Sequence, residues 1–478
     1  MVFSSVIFLC IYLPIVLIGY HILPQKARNI WLLVASLAFY ACSGPRHLIY
    51  LLSSIVINYV LAEVIARKIK TGTGTAKTVL IIAIVANIAS LVYFKYTGML
   101  LETIGNIFSR DIMIPEIILP VGISFYTFQC MSYIIDVYRG EEKAKDLLHF
   151  ALYITMFPQL LQGPIIRYSE VRDALDAPVI TADEITKGIE RFIVGLAKKA
   201  VIANTIGEVC DRIFDITVGL STPVAWLGAI LYTLQIYFDF SGYTDMAIGL
   251  GKMFGFTFRE NFDYPYISRS ITEFWRRWHI SLSNWFRDYL YIPLGGNRRG
   301  NVYVNLLIVF IATGIWHGAA WSFIVWGLWH GLFMLIERAL KGKKALISLP
   351  AVVTSFLKWG YTMLAVTLGW VLFKLEDIAE AFSFIKVMFG AGQGGYKAFD
   401  IGFFLDKRLG FFLVIAVIAC VPWAQVLPRH ISAYIADFEG SDKKGMRIMR
   451  HTCLIALLVI SFIFIVNTTY SPFIYFRF

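Results

Sequence analysis

The sequence predicts an all-α polytopic membrane protein, with about 11–13 transmembrane or re-entrant helices around a central funnel or tunnel. Apolar residues make up 58% of the 478 residues and charged residues 16%, whereas about 25% of residues are charged in an average soluble domain. About 20 apolar residues suffice to cross a bilayer. Several stretches of that length contain no Asp, Glu, Lys or Arg: residues 216–238, 301–336, 409–428 and 451–476.

The charge distribution indicates membrane topology and argues against nucleic-acid binding. The net charge is +11, and the basic residues gather in short connections between apolar segments, as the positive-inside rule expects. The six cysteines lie far apart, with no pair at metal-ligand spacing, so the sequence predicts neither a disulfide framework nor a metal site. Residues 1–23 lack a basic leader and a cleavage signal, and we interpret them as a retained first span.

We expect a single multi-pass domain over residues 1–478. Within it we expect N-terminal helices in residues 1–110, the motifs of a catalytic core in 115–340, and C-terminal helices in 345–478. Lys26 and Arg28 follow the first span and Arg338 follows a later one, which predicts that these connections are cytoplasmic. The span that starts at Asn301 then begins inside, and His317 lies deep in the membrane or toward its outer side.

Two histidines lie within the charge-free stretch 301–336. Histidine is the least costly ionisable side chain in a membrane, because a pKa near 6.5 lets it stay neutral and still accept a proton. His317 precedes Gly318 and two alanines, and small residues let another chain or a substrate approach closely. His317 is therefore the candidate catalytic base. For His330, hydrogen bonding between helices is the favoured interpretation, with a role in the pocket as the alternative.

The segment from Tyr264 to Pro293 is amphipathic at helical spacing. One face carries Trp275, Trp278, Leu282, Trp285 and Tyr289, and another carries Arg277, Ser281, Asn284 and Asp288. Two interpretations stay open: an interfacial helix with snorkelling arginines, or a re-entrant element lining a pocket. In the second, His279 points inward and the arginines meet a phosphate-bearing donor; they are Arg276, Arg277 and Arg287.

Two carboxylates, Asp239 and Asp245, adjoin the charge-free run that ends at Phe238. A carboxylate inside a membrane costs about 2.5–3.5 kcal/mol at a helix centre, so each should have a partner. We favour a salt bridge to Arg277 or Arg287 over catalysis. The Ser-Gly-Tyr sequence that ends at Tyr243 predicts a break in this helix.

With these residues in view, the chain resembles the membrane-bound O-acyltransferase family, and within it the membrane subunits of alginate and peptidoglycan O-acetyltransferases. The block RRWHISLSNWFRDY, followed by WHG 38 residues after its histidine, is specific to the resemblance. The other matching stretches are LPVGISFYTFQ (119–129), SYIIDVYRG (132–140), MFPQLLQGPIIRY (156–168), YFDFSGYTDMAIG (237–249), IWHGAAWSFIVWGLWHG (315–331) and FIYFRF (473–478).

The resemblance implies a fold indented from both faces toward a thin central wall, in a bacterial cytoplasmic membrane. It implies that His317 is catalytic and that His279 is the family's second motif histidine. The implied acyl donor is cytoplasmic acetyl-CoA, although the sequence has no separate nucleotide motif. The implied partner is an extracytoplasmic protein resembling an SGNH serine esterase, which acetylates a polysaccharide.

In that chemistry His317 acts as general base on the incoming hydroxyl, a step typically worth about 10²–10⁴-fold. A donor to the thioester oxyanion is also needed, and Trp316, Asn284 and Tyr243 are the candidates. Two other functions remain open. One is D-alanyl transfer to teichoic acid from a carrier-protein thioester. The other is a transporter or flippase, which should show inverted internal repeats, and the sequence shows none.

Overall fold

A computed structural model describes residues 1–72, 74–342, 350–391, 399–423, 444–468 and 470. The terminal FIYFRF motif lies outside these residues. The described chain is helical, and no β-strand occurs within it, so the predicted all-α class is confirmed. It forms two compact units: residues 1–192 with 244–259, and residues 193–243 with 260–478. The expected division at residues 110 and 345 stays a prediction.

The helices follow one another through short connections. In chain order they are α1 (Leu13–Ile22), α2 (Gln25–Ala41), α3 (Pro45–Lys70), α4 (Ala76–Leu91), α5 (Thr97–Phe108), α6 (Ile123–Tyr138), α7 (Leu147–Thr155), α8 (Phe157–Leu160), α9 (Tyr168–Asp176), α10 (Ala182–Ala197), α11 (Asn204–Phe214), α12 (Thr222–Met253), α13 (Ile271–Arg277), α14 (Ile280–Phe286), α15 (Val302–His317), α16 (Trp321–Leu340), α17 (Ala351–Lys374), α18 (Ile378–Met388), α19 (Ile401–Phe404), α20 (Lys407–Ala419) and α21 (Lys444–Asn467). Short π-helical turns adjoin α1, α4, α11 and α14: Phe8–Tyr12, Val92–Tyr96, Lys198–Ala203 and Arg287–Tyr291.

Several helices are long and apolar enough to span a membrane. Among the described residues, five helices are long and apolar enough to cross a bilayer, and Phe8–Ile22 and Val302–His317 are shorter apolar helices. The five are Pro45–Lys70, Ala76–Phe108, Trp321–Leu340, Ala351–Lys374 and Gly445–Asn467. This confirms a multi-helix membrane protein.

Polar side chains inside the first unit pair with one another. Asn58 of α3 and Asn87 of α4 are buried and exchange side-chain hydrogen bonds of 2.7 and 3.3 Å. An amide in an apolar helix needs such a partner because lipid offers none. This pair fixes α3 against α4 in the unit that contains most of the N-terminal helices.

In the second unit, α15 and α16 pack closely because glycines line their contact. A Cβ on Gly314 would lie 2.3 Å from the carbonyl oxygen of Phe323, and one on Gly327 would lie 2.3 Å from that of Phe310. Only glycine lets two helix backbones approach to this distance. The chain reverses at Gly318, where α15 ends on His317. His317 is therefore presented at a helix end.

One local prediction about helix continuity is wrong. The predicted break at Tyr243 is absent, because α12 runs unbroken from Thr222 to Met253. Its Gly242 instead allows close packing, since a Cβ there would lie 2.8 Å from the carbonyl oxygen of Gly195. Between Tyr264 and Pro293 the helical pattern is interrupted at His279, whose φ of 44° is left-handed, and the choice between an interfacial helix and a re-entrant element stays open.

Candidate active site

His317 lies at the centre of an aromatic cage in the second unit. Its side chain is buried, with a relative exposure of 3%. Three rings meet the imidazole edge to face, with centroid distances of 5.0 Å for Trp316, 4.9 Å for Trp326 and 5.1 Å for Phe373. The imidazole therefore lies in an apolar setting, and a neutral imidazole can accept a proton. The predicted depth of His317 in the membrane stays a prediction, since burial among side chains does not measure it.

His279 sits at the elbow between α13 and α14 and is fully buried. Its Nδ1 lies 3.1 Å from Oδ1 of Asn261, and the same oxygen accepts hydrogen bonds from the backbone N–H of Ser281 at 3.1 Å and its hydroxyl at 2.9 Å. Because this oxygen only accepts, Nδ1 must carry the hydrogen. The Nε2 of neutral His279 then presents a lone pair. No side-chain partner for Nε2 exists in the described parts of the chain.

His330 lies in the middle of α16 and is also fully buried. Its ring stacks on Phe274 at 6.2 Å and meets Trp275 at 5.3 Å and Trp326 at 5.1 Å. Neither ring nitrogen has a hydrogen-bond partner among the described residues. The favoured interpretation of His330 as a hydrogen bond between helices is therefore wrong, since its contacts are aromatic rings.

Two tryptophans connect the three histidines. Trp316 lies 6.0 Å from the His279 ring and 5.0 Å from the His317 ring. Trp326 lies 4.9 Å from His317 and 5.1 Å from His330. The structure thus gathers the predicted histidines around His317, with Trp316 as the ring shared by His279 and His317.

A cavity of about 330 Å³ opens beside these residues. Its wall on α15 consists of Leu306, Val309, Phe310 and Thr313, which share one helical face at spacings of three and four residues. His317 is the next residue at that spacing. The side of α15 that lines the cavity therefore leads to the imidazole within about one more turn.

The cavity also has a cationic part. Arg276, Arg287 and Arg338 line it, and all three side chains are exposed. The first two were predicted as donor-binding residues, and Arg338 was missed. Arg277 does not line this cavity; it forms ion pairs with Asp263 at 2.9 Å and Glu273 at 3.1 Å.

The two carboxylates of α12 are paired, but not with the partners we expected. Asp239 forms a buried ion pair with Lys199, and Asp245 binds Arg191 at 2.6 Å. The predicted partner Arg287 instead pairs with Asp288 at 2.7 Å. The salt-bridge interpretation is confirmed, whereas the named arginines were wrong because contacts between distant helices leave no local signal.

The three candidate oxyanion donors differ in position. Trp316 is buried beside His317, Tyr243 is buried in α12, and Asn284 is half-buried on α14. Of the three, Trp316 has its ring against the imidazole, and the oxyanion role itself stays a prediction. Among the described residues, no group of three or more His, Cys, Asp or Glu side chains converges at metal-binding distance.

Sequence reasoning missed Glu337, which shapes the cavity indirectly. Its carboxylate accepts hydrogen bonds from the backbone N–H groups of Ile271 and Thr272 at 2.5 and 2.9 Å, and from the Thr272 hydroxyl at 2.6 Å. A carboxylate at the start of a helix satisfies unpaired N–H groups and the helix dipole. Glu337 of α16 thus fixes α13, which carries Trp275 and Arg276. In the sequence, the available sign of this role was the position of Glu337 directly after the uncharged stretch 301–336.

Residues 70–373 match the model of the membrane-bound O-acyltransferase family. This chain belongs to that family. The matched region contains the three buried histidines and the cavity, and the protein is therefore an acyltransferase.

Several relatives resemble the chain over most or all of its length. It is 40% identical to the probable alginate O-acetylase AlgI of Pseudomonas putida, with 100% of both chains covered. It is 34% identical to the peptidoglycan O-acetyltransferase of Helicobacter pylori, over 100% of this chain and 98% of that one. The teichoic acid D-alanyltransferase of Bacillus subtilis is 34% identical over only 43% of this chain and 55% of its own length.

Proposed function

We propose that this membrane-bound O-acyltransferase is an O-acetyltransferase that takes acetyl from cytoplasmic acetyl-CoA and delivers it across a bacterial cytoplasmic membrane. The final acceptor is an extracytoplasmic polysaccharide, either an alginate-like polymer or peptidoglycan. The similarity to O-acetylating relatives over 100% of this chain supports acetate. The similarity to a D-alanyltransferase covers 43% of it and supports D-alanine less.

The observation that carries the proposal is the alignment of the cavity wall with His317 along one face of α15. Three exposed arginines line the cavity, and guanidinium groups bind phosphates strongly. The apolar stripe from Leu306 to Thr313 leads from there along α15, about 1.5 Å per residue. The charged nucleotide of the coenzyme would remain at the arginines while its thioester reaches the buried imidazole.

His317 is the base in this reaction. Its neutral imidazole takes the proton of the acceptor hydroxyl while the oxygen attacks the thioester carbonyl carbon. The carbon–sulfur bond then breaks, and the proton is returned to the departing thiolate, which gives an ester and a free thiol. His279, whose Nε2 presents a lone pair, lies on the other side of Trp316 and is the second histidine of the site.

An extracytoplasmic partner similar to an SGNH serine esterase completes the proposal. It would receive the acetyl group on the outer side and transfer it to the glycan. The resemblance of the motifs supports this step. Purification of the chain with and without that protein would test it, because the glycan would be acetylated only in the pair.

The central experiment replaces His317 by alanine and measures transfer of labelled acetyl from acetyl-CoA in reconstituted vesicles. Loss of the base should lower the rate by about 10²–10⁴-fold without changing membrane insertion. His149→Ala is the matched control, because His149 binds Asp146 in the first unit at 2.7 Å. Full transfer by His317→Ala protein would rule out His317 as the base.

The transporter alternative predicts a different result. Flux of an ion or a glycan precursor through purified protein, unchanged when His279 and His317 are both replaced, would favour it. The acetyltransferase proposal expects no such flux and expects consumption of the thioester instead.

A further inference from the structure

One carboxylate joins three chain segments near the end of α17. Asp211 of α11 binds the ammonium group of Lys374, the last residue of α17, through Oδ1 at 2.5 Å. Its Oδ2 accepts a hydrogen bond from the hydroxyl of Tyr470, beyond α21, also at 2.5 Å. We call Asp211, Lys374 and Tyr470 the Asp211 cluster.

The Asp211–Lys374 ion pair is partly buried and is supported by aromatic rings. The Lys374 side chain is 15% exposed and that of Asp211 is 25% exposed, so the ion pair is only partly screened by water. The ammonium group also lies 5.3 Å from the ring of Tyr232 and 5.8 Å from that of Phe214, within range of cation–π attraction. The end of α17 is therefore fixed by charge as well as by packing.

The residue before Lys374 covers the candidate base. Phe373 is buried, and its ring meets the His317 imidazole edge to face at 5.1 Å. The same ring packs against Phe323 at 5.1 Å and Trp326 at 5.2 Å. Because Phe373 and Lys374 share the last turn of α17, the position of the ring over His317 depends on where the Asp211 cluster holds that turn.

We propose that Asp211 is a positioning residue that keeps Phe373 over His317 and so keeps water from the imidazole. This inference rests on the proposed acetyl transfer. A base that can activate a hydroxyl can also activate water, and water attacking the thioester gives acetate and free thiol in place of an ester and thiol. Exclusion of water is the usual way in which an enclosed site prevents such a side reaction.

The test is Asp211→Asn in the full chain in vesicles, with labelled acetyl-CoA and a hydroxyl acceptor. We expect the ratio of released acetate to transferred acetyl to rise about tenfold, as for loss of one hydrogen bond to a charged group. Phe373→Ala should raise the ratio equally, and the double variant should exceed neither single variant. Lys374→Arg keeps the charge and should stay close to the unmodified protein.

Asp377→Asn is the matched control. Asp377 lies three residues after Lys374 and is exposed, and it caps α18 through the N–H of Ala379 at 2.6 Å. Its ratio should not change. A merely structural role of Asp211 would lower the amount of folded protein and leave the ratio of acetate to ester at the control value, which would overturn the inference.

A second measurement does not depend on turnover. Diethyl pyrocarbonate modifies accessible imidazoles, and mass spectrometry of the His317 peptide should show faster modification in Asp211→Asn and in the milder Tyr470→Phe. Equal rates in all folded variants would refute the role of the cluster. If the unmodified protein transferred no acetyl from acetyl-CoA, the proposed function would fail, while the modification rates would still decide whether Asp211 shields His317.

Discussion

The two ends of the α15–α17 bundle are built on opposite principles. At the end near Arg338, a cavity of about 330 Å³ is lined by three exposed arginines. At the end near Lys374, the cationic side chain is paired with Asp211 and the last turn of α17 covers His317 with Phe373. The first end combines space with solvent-facing arginines, of which Arg287 also pairs with Asp288, whereas the second end pairs its cation and fills its space with aromatic rings.

The surroundings of His317 therefore differ between the two ends of the bundle. The Arg338 end presents the solvent-facing arginines to which the proposed charged donor would bind. An acceptor that approaches from the Lys374 end meets packed aromatic rings. Variants of buried contacts between helices should therefore affect stability most, and variants at the Arg338 end should affect donor binding.

The largest effect is expected from the buried ion pair between Lys199 and Asp239 of α12. Lys199 and Asp239 are both almost fully buried, and Lys199→Met would remove the cationic partner of a buried carboxylate, at a cost of about 3–5 kcal/mol. Asp239 precedes Phe240, whose ring lies 4.7 Å from His279. Thermal unfolding in detergent measures the loss. The double variant Lys199→Met with Asp239→Asn should recover most of it, and no recovery would show that the charge itself is not the cause.

Close packing of α15 on α16 gives the next effect. Gly314→Ala places a Cβ 2.3 Å from the carbonyl oxygen of Phe323, and such overpacking typically costs about 1–3 kcal/mol. Gly360→Ala is the matched control, because a Cβ on Gly360 meets nothing within 4 Å. The melting temperature should fall for the first variant and stay level or rise slightly for the second. Equal melting temperatures would mean that the contact between α15 and α16 accommodates the added methyl group.

At the open end, Glu337→Ala should weaken donor binding. The change removes the acceptor for two N–H groups and one hydroxyl at the start of α13, so the helix that carries Trp275 and Arg276 loosens. We expect the KM for acetyl-CoA to rise about tenfold, and kcat to change less. Steady-state kinetics with Glu337→Gln as the conservative variant would check this. A fall in kcat alone would place Glu337 in the chemical step instead.

The smallest effect is expected from a single exposed arginine. Arg276→Gln should raise the KM for acetyl-CoA about two- to fivefold, since exposed ion pairs contribute only about 0.2–1 kcal/mol each. The increase should shrink at high salt. Arg298→Gln removes the same charge from the neighbouring loop and does not line the cavity, so its KM should stay constant. An equal rise in both would indicate general attraction by the basic surface.

The sequence predicted the buried histidines better than it predicted the ion pairs between helices. His317 and His330 were found because they interrupt a long uncharged run, and both are buried as a membrane segment requires. The partners Lys199 and Arg191 were not found, because ion pairs between distant helices leave no periodic pattern. Lys198 and Lys199 are adjacent charged residues in the otherwise uncharged stretch from Phe192 to Gly207, and that pair was the available signal.

The segment around His279 shows why helical spacing in a sequence does not reveal where a helix ends. The spacing of its tryptophans fits a continuous helix, yet the chain turns at His279 and starts again at Ile280. Asn261 holds this turn through four hydrogen bonds, one of which runs from the N–H of Ile280 to its backbone oxygen at 2.9 Å. Asn261, 18 positions before His279, thus sets the backbone conformation there. The sequence of the helical segment alone does not show this contact.

The left-handed backbone at position 279 also decides how the role of this histidine can be isolated. A residue with a φ of 44° is strained for most side chains, and asparagine tolerates this conformation better than alanine does. His279→Ala would therefore remove the ring and strain the backbone at once. A loss of activity could then come from either change. Asparagine keeps the turn and deletes only the imidazole, which makes it the informative substitution in any genetic dissection of the two-histidine site.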